Sequence, residues 1–204
     1  MRTLAKRFLD WIAAAIVSPV AVHFFVWAYL RRGHRDQVFQ GHSQLMSLLP
    51  GITGNFLRRA FYKLTLLDCA PDCCISFGTT FATPDVSIGR GVYIGTFCNI
   101  GHADIGPDVL IGTGVMITSG RQQHYFSRLD IAIRLQGGEN TRVTIGRDCW
   151  LGNGAVVMAD LAEQSIVSAG SVVTHAAAPR SILTGNPARV VAVREHRHGS
   201  PRPE

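Results

Sequence analysis

The stretch that decides the fold is VSIGRGVYIGTFCNIGHADIGPDVLIGTGVMI, residues 86–117. An aliphatic residue followed by glycine recurs in it every six residues, with one interval of five, at positions 88, 94, 100, 105 and 111. Neither the helical period of about 3.6 residues nor the simple alternation of a strand produces this spacing. Six-residue repeats are typical of a parallel β-helix, in which three short strands complete one triangular coil.

The repeat extends to both sides of this stretch. Small or aliphatic residues stand two positions before the anchors, as at Val92 and Cys98, and glycine relieves the crowding at the turns. The interval between Val157 and Val167 is ten residues rather than twelve, which predicts a trimmed coil. Thirteen anchors fit the frame, which predicts an all-β domain of roughly four coils; they are Ile75, Phe81, Ile88, Ile94, Ile100, Ile105, Ile111, Ile117, Ile145, Leu151, Val157, Val167 and Val173.

Basic charge is confined to the first third of the chain. Residues 1–67 carry nine Lys and Arg against Asp10 and Asp36, a net charge of +7, whereas residues 68–204 have a net charge of −1. The repeats lack a basic groove with interleaved aromatic residues, as binding of single-stranded nucleic acid would require. We therefore expect a membrane partner and no nucleic acid, because the longest apolar run lies in the same basic third.

That apolar run is WIAAAIVSPVAVHFFVWAYL, residues 11–30. As a helix its twenty residues would extend about 30 Å, which matches a bilayer core. Pro19 leaves two forms open, a spanning helix and a kinked, re-entrant helix. A cleaved signal peptide is not indicated, because no A-x-A site with a polar flank follows the run.

A second amphipathic segment, residues 56–67, has Arg58, Arg59 and Lys63 mostly off its apolar stripe. It is either a cap on the open end of the β-helix or an interfacial helix, or both.

Five cysteines are present, an odd number that fits reduced thiols in the cytosol. Cys98 and Cys149 occupy the small core position of the repeat, and Cys69, Cys73 and Cys74 lack a second cluster at zinc-ligand spacing. No metal site is expected.

The catalytic chemistry is expected in the segment that interrupts the repeats, residues 119–142, because insertions project as loops and often carry function. His124 lies in this loop.

Four short stretches of the repeat region stand out: ITSGRQQH (117–124), IGRDCWLG (145–152), AGSVVT (169–174) and GNPAR (185–189). In these stretches the chain resembles the hexapeptide-repeat acyltransferases, most of all their sugar and polysaccharide O-acetyltransferase branch. The first has the form of that family's loop-borne active-site histidine, the second resembles its IG-x-x-x-W-[IL]-G, the third is similar to one of its coils, and the fourth resembles its closing G-N-P-A-[RK]. The resemblance covers about residues 75–193, and the leader at residues 48–69 is similar to that of exopolysaccharide-type members.

The resemblance implies a left-handed parallel β-helix, a homotrimer with active sites in the clefts between subunits, and acetyl-CoA as donor. It implies that His124 is the catalytic base, oriented by Asp130, Glu139 or a main-chain carbonyl. Asn153, Ala169 and Thr174 would contact the donor, and Arg189 would pair with a CoA phosphate. Trp150 would border the pantetheine arm or fill a coil corner. Asn99 and Ser119 are the candidates for acceptor binding.

Two departures from the family pattern bear on the substrates. His175 stands where many relatives have Lys, which would weaken contacts at the nucleotide end of the donor. The stretch from Cys98 to His102 lacks the Asn-to-Asp spacing of the small-sugar acetyltransferases, which disfavours free small sugars as acceptors. A polymeric or lipid-linked glycan is the expected acceptor, because it fits the apolar membrane segment better. The alternatives are a soluble xenobiotic or serine acetyltransferase and a non-catalytic β-helix scaffold. A γ-type carbonic anhydrase is disfavoured because no H-x4-H pair includes His124.

These inferences predict three regions. Residues 1–70 form a helical, membrane-associated segment, residues 71–193 the β-helix acyltransferase domain, and residues 194–204 a disordered tail. Since acyl-CoA is a cytosolic metabolite, we expect the protein at a bacterial inner membrane with its catalytic domain in the cytoplasm. The basic flanks of the apolar run agree with this orientation.

Overall fold

The structure, a computed structural model, describes residues 2–195, with side chains from Phe8 onward. Three α-helices, α1 (Arg2–Leu30), α2 (Arg35–Ser47) and α3 (Gly51–Thr65), precede the strands, and short 3-10 helices lie at Arg32–His34 and Ile133–Leu135. The strands are β1 (Asp68–Cys69), β2 (Cys74–Ile75), β3 (Thr80–Phe81), β4 (Ser87–Ile88), β5 (Tyr93–Ile94), β6 (Asn99–Ile100), β7 (Ala103–Ile105), β8 (Leu110–Ile111), β9 (Met116–Ile117), β10 (Val143–Ile145), β11 (Trp150–Leu151), β12 (Val156–Val157), β13 (Ile166–Val167), β14 (Val172–Val173), β15 (Ser181–Gly185) and β16 (Ala188–Val193).

The strands form a triangular prism with three parallel sheets as its faces. Face A contains β1, β4, β7 and β10; face B contains β2, β5, β8, β11, β13 and β15; face C contains β3, β6, β9, β12 and β14. The chain passes from A to B to C in every turn, so each turn has an A–B, a B–C and a C–A edge. This confirms the predicted left-handed parallel β-helix.

The coil has about six turns, two more than the anchor count predicted. All thirteen predicted anchors are buried, none more than 3% exposed. The additional interior residues are Cys69, Leu161, Ala177 and Leu183. Single bridges from Ile145 to Leu161 and from Leu161 to Ala177 continue face A where no strand is formed. Polar neighbours and short corners conceal these positions from a strict six-residue search.

The ten-residue interval between Val157 and Val167 is a shortened corner. Leu161 follows Val157 after four residues, and Ala177 follows Val173 in the same way. The strands on either side stay in register, with Leu151 paired to Val167 and Val157 paired to Val173. The corner is trimmed, but all three faces continue.

Glycine after an anchor permits close stacking of successive turns. A β-carbon at Gly152 would lie 2.5 Å from the backbone nitrogen of Ala169, in the next turn. Gly170 meets a different requirement, since it adopts a positive φ of 67° at the B–C edge. The two uses explain why glycine is so frequent in the repeats.

Helices α2 and α3 cover the first turn of the coil. Ser43 on α2 accepts a hydrogen bond from the backbone nitrogen of Phe81 (2.8 Å) and is bonded to the hydroxyl of Tyr62 on α3 (2.8 Å). The Tyr62 ring packs edge-on against Phe81, with centroids 4.6 Å apart. Such packing supports the capping interpretation of residues 56–67.

The sequence placed Arg58, with Arg59 and Lys63, mostly off the apolar stripe of this helix, but this position does not expose Arg58 to solvent. Arg58 is fully buried and donates to the carbonyl oxygens of Ile75 (2.8 Å) and Leu49 and to the side chain of Asn55. Burial lowers the pKa of its guanidinium. A side chain with five donors suits this position because three separate acceptors converge on it.

Helix α1 packs one face against the other two helices and exposes the other. Its buried residues are Ala13, Val17, Ala21 and Phe24, while Trp11, Ile16, Val22 and Phe25 are exposed. The segment Phe8–Leu30 is long and apolar enough to cross a membrane, and the helix continues through Pro19. One face of α1 is therefore a protein contact and the other is an apolar surface.

The coil begins directly after the helices and ends in a hairpin. The helices end at Thr65 and the first coil strand begins at Asp68, shortly before the boundary placed after residue 70. Of the predicted tail, Arg194 is bonded to the coil, through its backbone nitrogen to Arg180 (2.7 Å) and its guanidinium to Asp148 (3.0 Å). Residues 196–204 lie outside the described part of the chain.

Candidate active site

The loop at residues 119–142 leaves the coil at the C–A edge, between β9 and β10. His124 lies in its first arm and is exposed. Because the two arms pair along their backbones, the position of His124 is fixed although it lies outside the coil. The pairing bonds run from Thr141 N to Ser119 O (3.0 Å), from Glu139 N to Gln122 O (2.7 Å) and from Tyr125 N to Gly137 O (2.9 Å).

Gly138 allows the two arms to approach at His124. A β-carbon at Gly138 would overlap the carbonyl oxygen of Gln123 and lie 2.9 Å from the backbone nitrogen of His124. Gly137, beside it, has a positive φ of 78°. The Gly137–Gly138 pair is therefore a second sequence feature, besides the motif around His124, that indicates where the histidine lies.

Neither predicted orienting carboxylate bonds to His124 within the described residues. Asp130 accepts from Arg128 (3.0 Å), and this hydrogen bond lowers the pKa of the Asp130 carboxyl. Glu139 lies in the opposite arm, where its backbone nitrogen bonds to Gln122. Asp130 is thus engaged elsewhere in this conformation of the loop.

Ser119, one of the two predicted acceptor residues, forms the root of the loop. Its hydroxyl oxygen accepts a hydrogen bond from the backbone nitrogen of His102 in the preceding turn (3.0 Å). A β-carbon at Gly101 would lie 2.6 Å from that oxygen. The structure therefore gives Ser119 a part in fixing the loop to the coil.

Asn99, the other predicted acceptor residue, lies on the outer side of face C. It pairs with Met116 of β9, the strand that precedes the loop. Its side-chain amide donates a hydrogen bond to Thr80 (3.0 Å). A pocket of about 150 Å³ lies here, and Gln40 and Gln44 of α2 form its other wall. Asn99 is therefore one turn from the root of the His124 loop.

Three of the predicted donor residues share the B–C edge. Asn153 and Ala169 occupy successive corners, joined by a hydrogen bond from Gly170 N to Asn153 O (2.9 Å). Arg189 pairs across the terminal hairpin with Thr184, which continues the same edge and bonds to the hydroxyl of Ser168 (2.6 Å). Asn153 also accepts from the backbone nitrogen of Thr113 (2.9 Å), so its carbonyl stabilises the corner.

Trp150 and Thr174 lie elsewhere. Trp150 is on the outer side of face B with 51% of its surface exposed, so it does not fill the coil interior. Thr174 follows β14 at the C–A edge, on the side of the His124 loop, and its hydroxyl bonds to Nδ1 of His175 (2.9 Å). The structure thus separates Thr174 from the other three donor candidates.

The His124 loop and the donor edge stand at opposite ends of the face C strands. The chain enters face C after Asn153 and leaves it at Met158. Along an extended strand, these two residues are separated by about 15 Å. A single coil therefore presents the base on one edge and the predicted donor contacts on another. A groove of about 570 Å³ does lie between the loop and the C-terminal turns, lined by Arg121, Gln122, Phe126, Met158, Asp160 and Ala176.

A polar cluster near the loop root was not predicted from the sequence. Nε2 of His102 lies 3.7 Å from Asp85, which pairs with Arg35 at the start of α2 (3.0 Å). Nε2 is buried and makes no hydrogen bond to the described residues. The cluster joins α2 to the C–A edge one turn before Ser119. Only the stacking of turns brings these residues together.

Two of the cysteines belong to the interior of the coil. Cys98 and Cys149 are buried in the coil, as predicted, and burial raises the pKa of both thiols. All five cysteines are free. Within residues 2–195, no group of three or more His, Cys, Asp or Glu is placed to hold a metal ion.

No family model matches this sequence. Among solved structures, the chain is similar to a maltose O-acetyltransferase from Clostridium difficile, with a TM-score of 0.67 and 17% identity over 79% of this chain and 89% of that one. A galactoside acetyltransferase solved in complex with coenzyme A gives a TM-score of 0.60 and 20% identity, over 78% of this chain and 80% of that one. These similarities establish a shared fold.

Proposed function

We propose that the protein is an acetyl-CoA-dependent O-acetyltransferase that acetylates a sugar hydroxyl in a polysaccharide or a lipid-linked glycan precursor. The observation that carries the proposal is the position of His124, held by a paired loop at the edge of a coil. Two proteins of the same fold support it, since one is a maltose O-acetyltransferase and the other a galactoside acetyltransferase solved with coenzyme A.

His124 supplies the chemistry that the reaction needs. A sugar hydroxyl is a weak nucleophile at neutral pH, and imidazole is a base suited to that pH. His124 takes the hydroxyl proton as the sugar oxygen forms a bond to the thioester carbonyl carbon. The tetrahedral intermediate then collapses, the carbon–sulfur bond breaks, and the imidazolium returns the proton to the departing CoA thiolate. Transfer is direct and no cysteine takes part.

The donor lies along the B–C edge. Asn153 and Ala169 line the path of the pantetheine arm, and Arg189 pairs with a phosphate at the nucleotide end. The ring of Trp150, exposed on the outer side of face B, borders the pantetheine arm from that face. Thr174, at the C–A edge, contacts the donor from the other side of the cleft.

A homotrimer completes this site. The base and the donor edge lie on opposite sides of face C, so neighbouring subunits must bring them together. Exposed apolar residues on the outer faces favour such an assembly, with Tyr93, Leu110 and Trp150 in one column on face B and Met116 on face C. Burying these columns between copies removes apolar surface from water.

The acceptor enters from the helical end of the coil. Asn99 and the glutamines of α2 bind its hydroxyl groups, and Ser119 holds the loop above them. The exposed apolar face of α1 and the cluster at Arg31, Arg32 and Arg35 favour attachment to an anionic membrane. We place the enzyme on the cytoplasmic side of a bacterial inner membrane, where acetyl-CoA is available.

The test is a donor-turnover assay on the purified full chain. Release of free CoA thiol is measured with acetyl-CoA and an oligosaccharide acceptor, and binding of CoA is measured separately by calorimetry. Glycan acetyl content is compared in cells with and without the gene. A full-length trimer that binds no CoA, or cells whose glycans keep their acetyl groups without the gene, would refute the proposal.

A further inference from the structure

A further cavity lies between helices α1 and α2. Its volume of about 640 Å³ is within the range of about 300–1,000 Å³ typical of ligand sites. The groove is open along its length and runs from Pro19 to Arg31, which corresponds to about 18 Å of helix. Its apolar walls are formed by Pro19, Val20, Trp27, Val38 and Leu45, with Gly41 between them.

Two histidines in this groove are hydrogen-bonded to each other. Nδ1 of His42 donates to the carbonyl oxygen of Val38 (2.7 Å). The hydrogen bond between the two rings joins Nε2 of His42 to Nδ1 of His23 (2.9 Å). The ring centroids are 5.1 Å apart. Because polar atoms of the two rings bond to each other and to the backbone, their carbon faces extend the apolar lining.

One end of the groove carries free positive charge. The guanidinium of Arg31 lies over the Trp27 ring (5.3 Å) and that of Arg32 over the Tyr29 ring (4.7 Å). Within residues 2–195 neither arginine pairs with a carboxylate, whereas nearby Arg35 pairs with Asp85. An apolar groove with a cationic end is complementary to an apolar chain with an anionic head group.

Helix α2 connects this groove to the predicted acceptor pocket. Val38, Gly41 and Leu45 face the groove, while Gln40 and Gln44 line the pocket that contains Asn99. The two cavities are thus separated by the width of one helix, about 10 Å. A molecule whose lipid lies in the groove would bring a sugar attached to its phosphate near Asn99.

We propose that the α1–α2 groove binds the lipid of a polyprenyl-phosphate-linked acceptor, with the chain along α1 and the phosphate at Arg31. A single seam between two helices accommodates one chain, which favours a single-chain polyprenyl phosphate over a two-chain phospholipid. This inference rests on the proposed function, because it assigns a site to the lipid part of the proposed substrate.

The experiment measures binding of a polyprenyl monophosphate to the full-length protein in detergent micelles. The matching neutral polyprenol and phosphatidylglycerol serve as the other two probes, and CoA binding is measured on the same samples. Gly41→Leu fills the groove, since a β-carbon at Gly41 meets nothing within 4 Å. Gly33→Leu is the matched control, because Gly33 has the same open surroundings and does not line the groove.

We expect Gly41→Leu to weaken polyprenyl phosphate binding roughly tenfold, the effect of excluding about two CH₂ groups from the groove. Gly33→Leu should bind as the unmodified protein does, and Arg31→Gln should weaken the phosphate probe but not the neutral polyprenol. Equal effects of the two leucine variants, or equal binding of all three probes, would overturn the inference. If the lipid binds but CoA does not, the groove stands and the proposed acetyltransferase function fails; the reverse result removes only the groove.

Discussion

The backbone nitrogen of Tyr125 donates a 2.9 Å hydrogen bond to the carbonyl oxygen of Gly137, and this bond fixes the arm that carries His124. The relationship ties the histidine to the second arm of its own loop. It makes the position of the base depend on the glycines that let the two arms meet.

His124→Ala should lower turnover by about 10²–10⁴-fold, because a positioned general base is lost. The Tm of this variant should equal that of the unmodified protein, since His124 is exposed and lies outside the coil. His34→Ala, an exposed histidine at the start of α2, is the control and should keep full activity. Near-normal turnover in a folded His124→Ala trimer would remove this residue from the mechanism.

Gly138→Ala should reduce kcat by about 10²-fold while leaving the KM for acetyl-CoA unchanged. The new β-carbon would overlap the carbonyl oxygen of Gln123, so the arm carrying His124 must shift. Steady-state kinetics with varied donor separate the two parameters. Gly33→Ala, with nothing within 4 Å, is the control. An unchanged kcat would contradict the prediction, because it would show that the loop accommodates the new β-carbon without displacing His124 from its catalytic position.

Arg189→Ala should raise the KM for acetyl-CoA more than it lowers kcat. A phosphate contact far from the reacting carbonyl stabilises the ground state and the transition state alike. Arg147→Ala, which removes an exposed ion pair with Glu163 at the A–B edge, should leave both parameters as they are. If the two variants have the same donor KM, Arg189 does not bind the donor.

Arg58→Met should lower the free energy of unfolding by about 2–4 kcal/mol. The substitution removes the donors to the carbonyl oxygens of Ile75 and Leu49 and leaves these buried acceptors unpaired. Urea denaturation measures the change, and Arg90→Ala on the exposed coil surface is the control. A loss below about 0.5 kcal/mol would mean that water replaces the guanidinium.

Val22→Glu combined with Phe25→Glu should move the protein from the membrane to the soluble fraction. Both side chains lie on the exposed face of α1, so the packing of Phe24 on the opposite face is preserved. Val191→Glu, an equally exposed position on the terminal hairpin, should leave the distribution unchanged. Fractionation at low salt without detergent checks this. If the unmodified protein is itself soluble, the exposed face of α1 is covered by another protein surface.

The coil and its interior could be predicted from the sequence alone. A buried side of each short strand and a fixed corner length impose a six-residue period, so every predicted anchor from Ile75 to Val173 points inward. The sequence also located the loop, because an insertion must leave the frame where it occurs. Leu161 and Ala177 escaped detection because each follows the preceding anchor after four residues instead of six. Cys69 lies six residues before Ile75, but a cysteine between Asp68 and Ala70 lacks the large apolar side chain that marks an anchor.

Which residues are neighbours in space could not be predicted from the sequence. Asn153 bonds to Thr113, forty residues earlier, because the loop at residues 119–142 lies outside the coil and the turns before and after it stack directly on each other. Arg58 is buried because α3 turns that side onto the first coil, which helical periodicity alone does not specify. The α1–α2 groove and the separation of His124 from the donor edge arise in the same way. Periodicity fixes the direction of a side chain within its own element, whereas its neighbours depend on how many residues each turn contains and on how the elements pack.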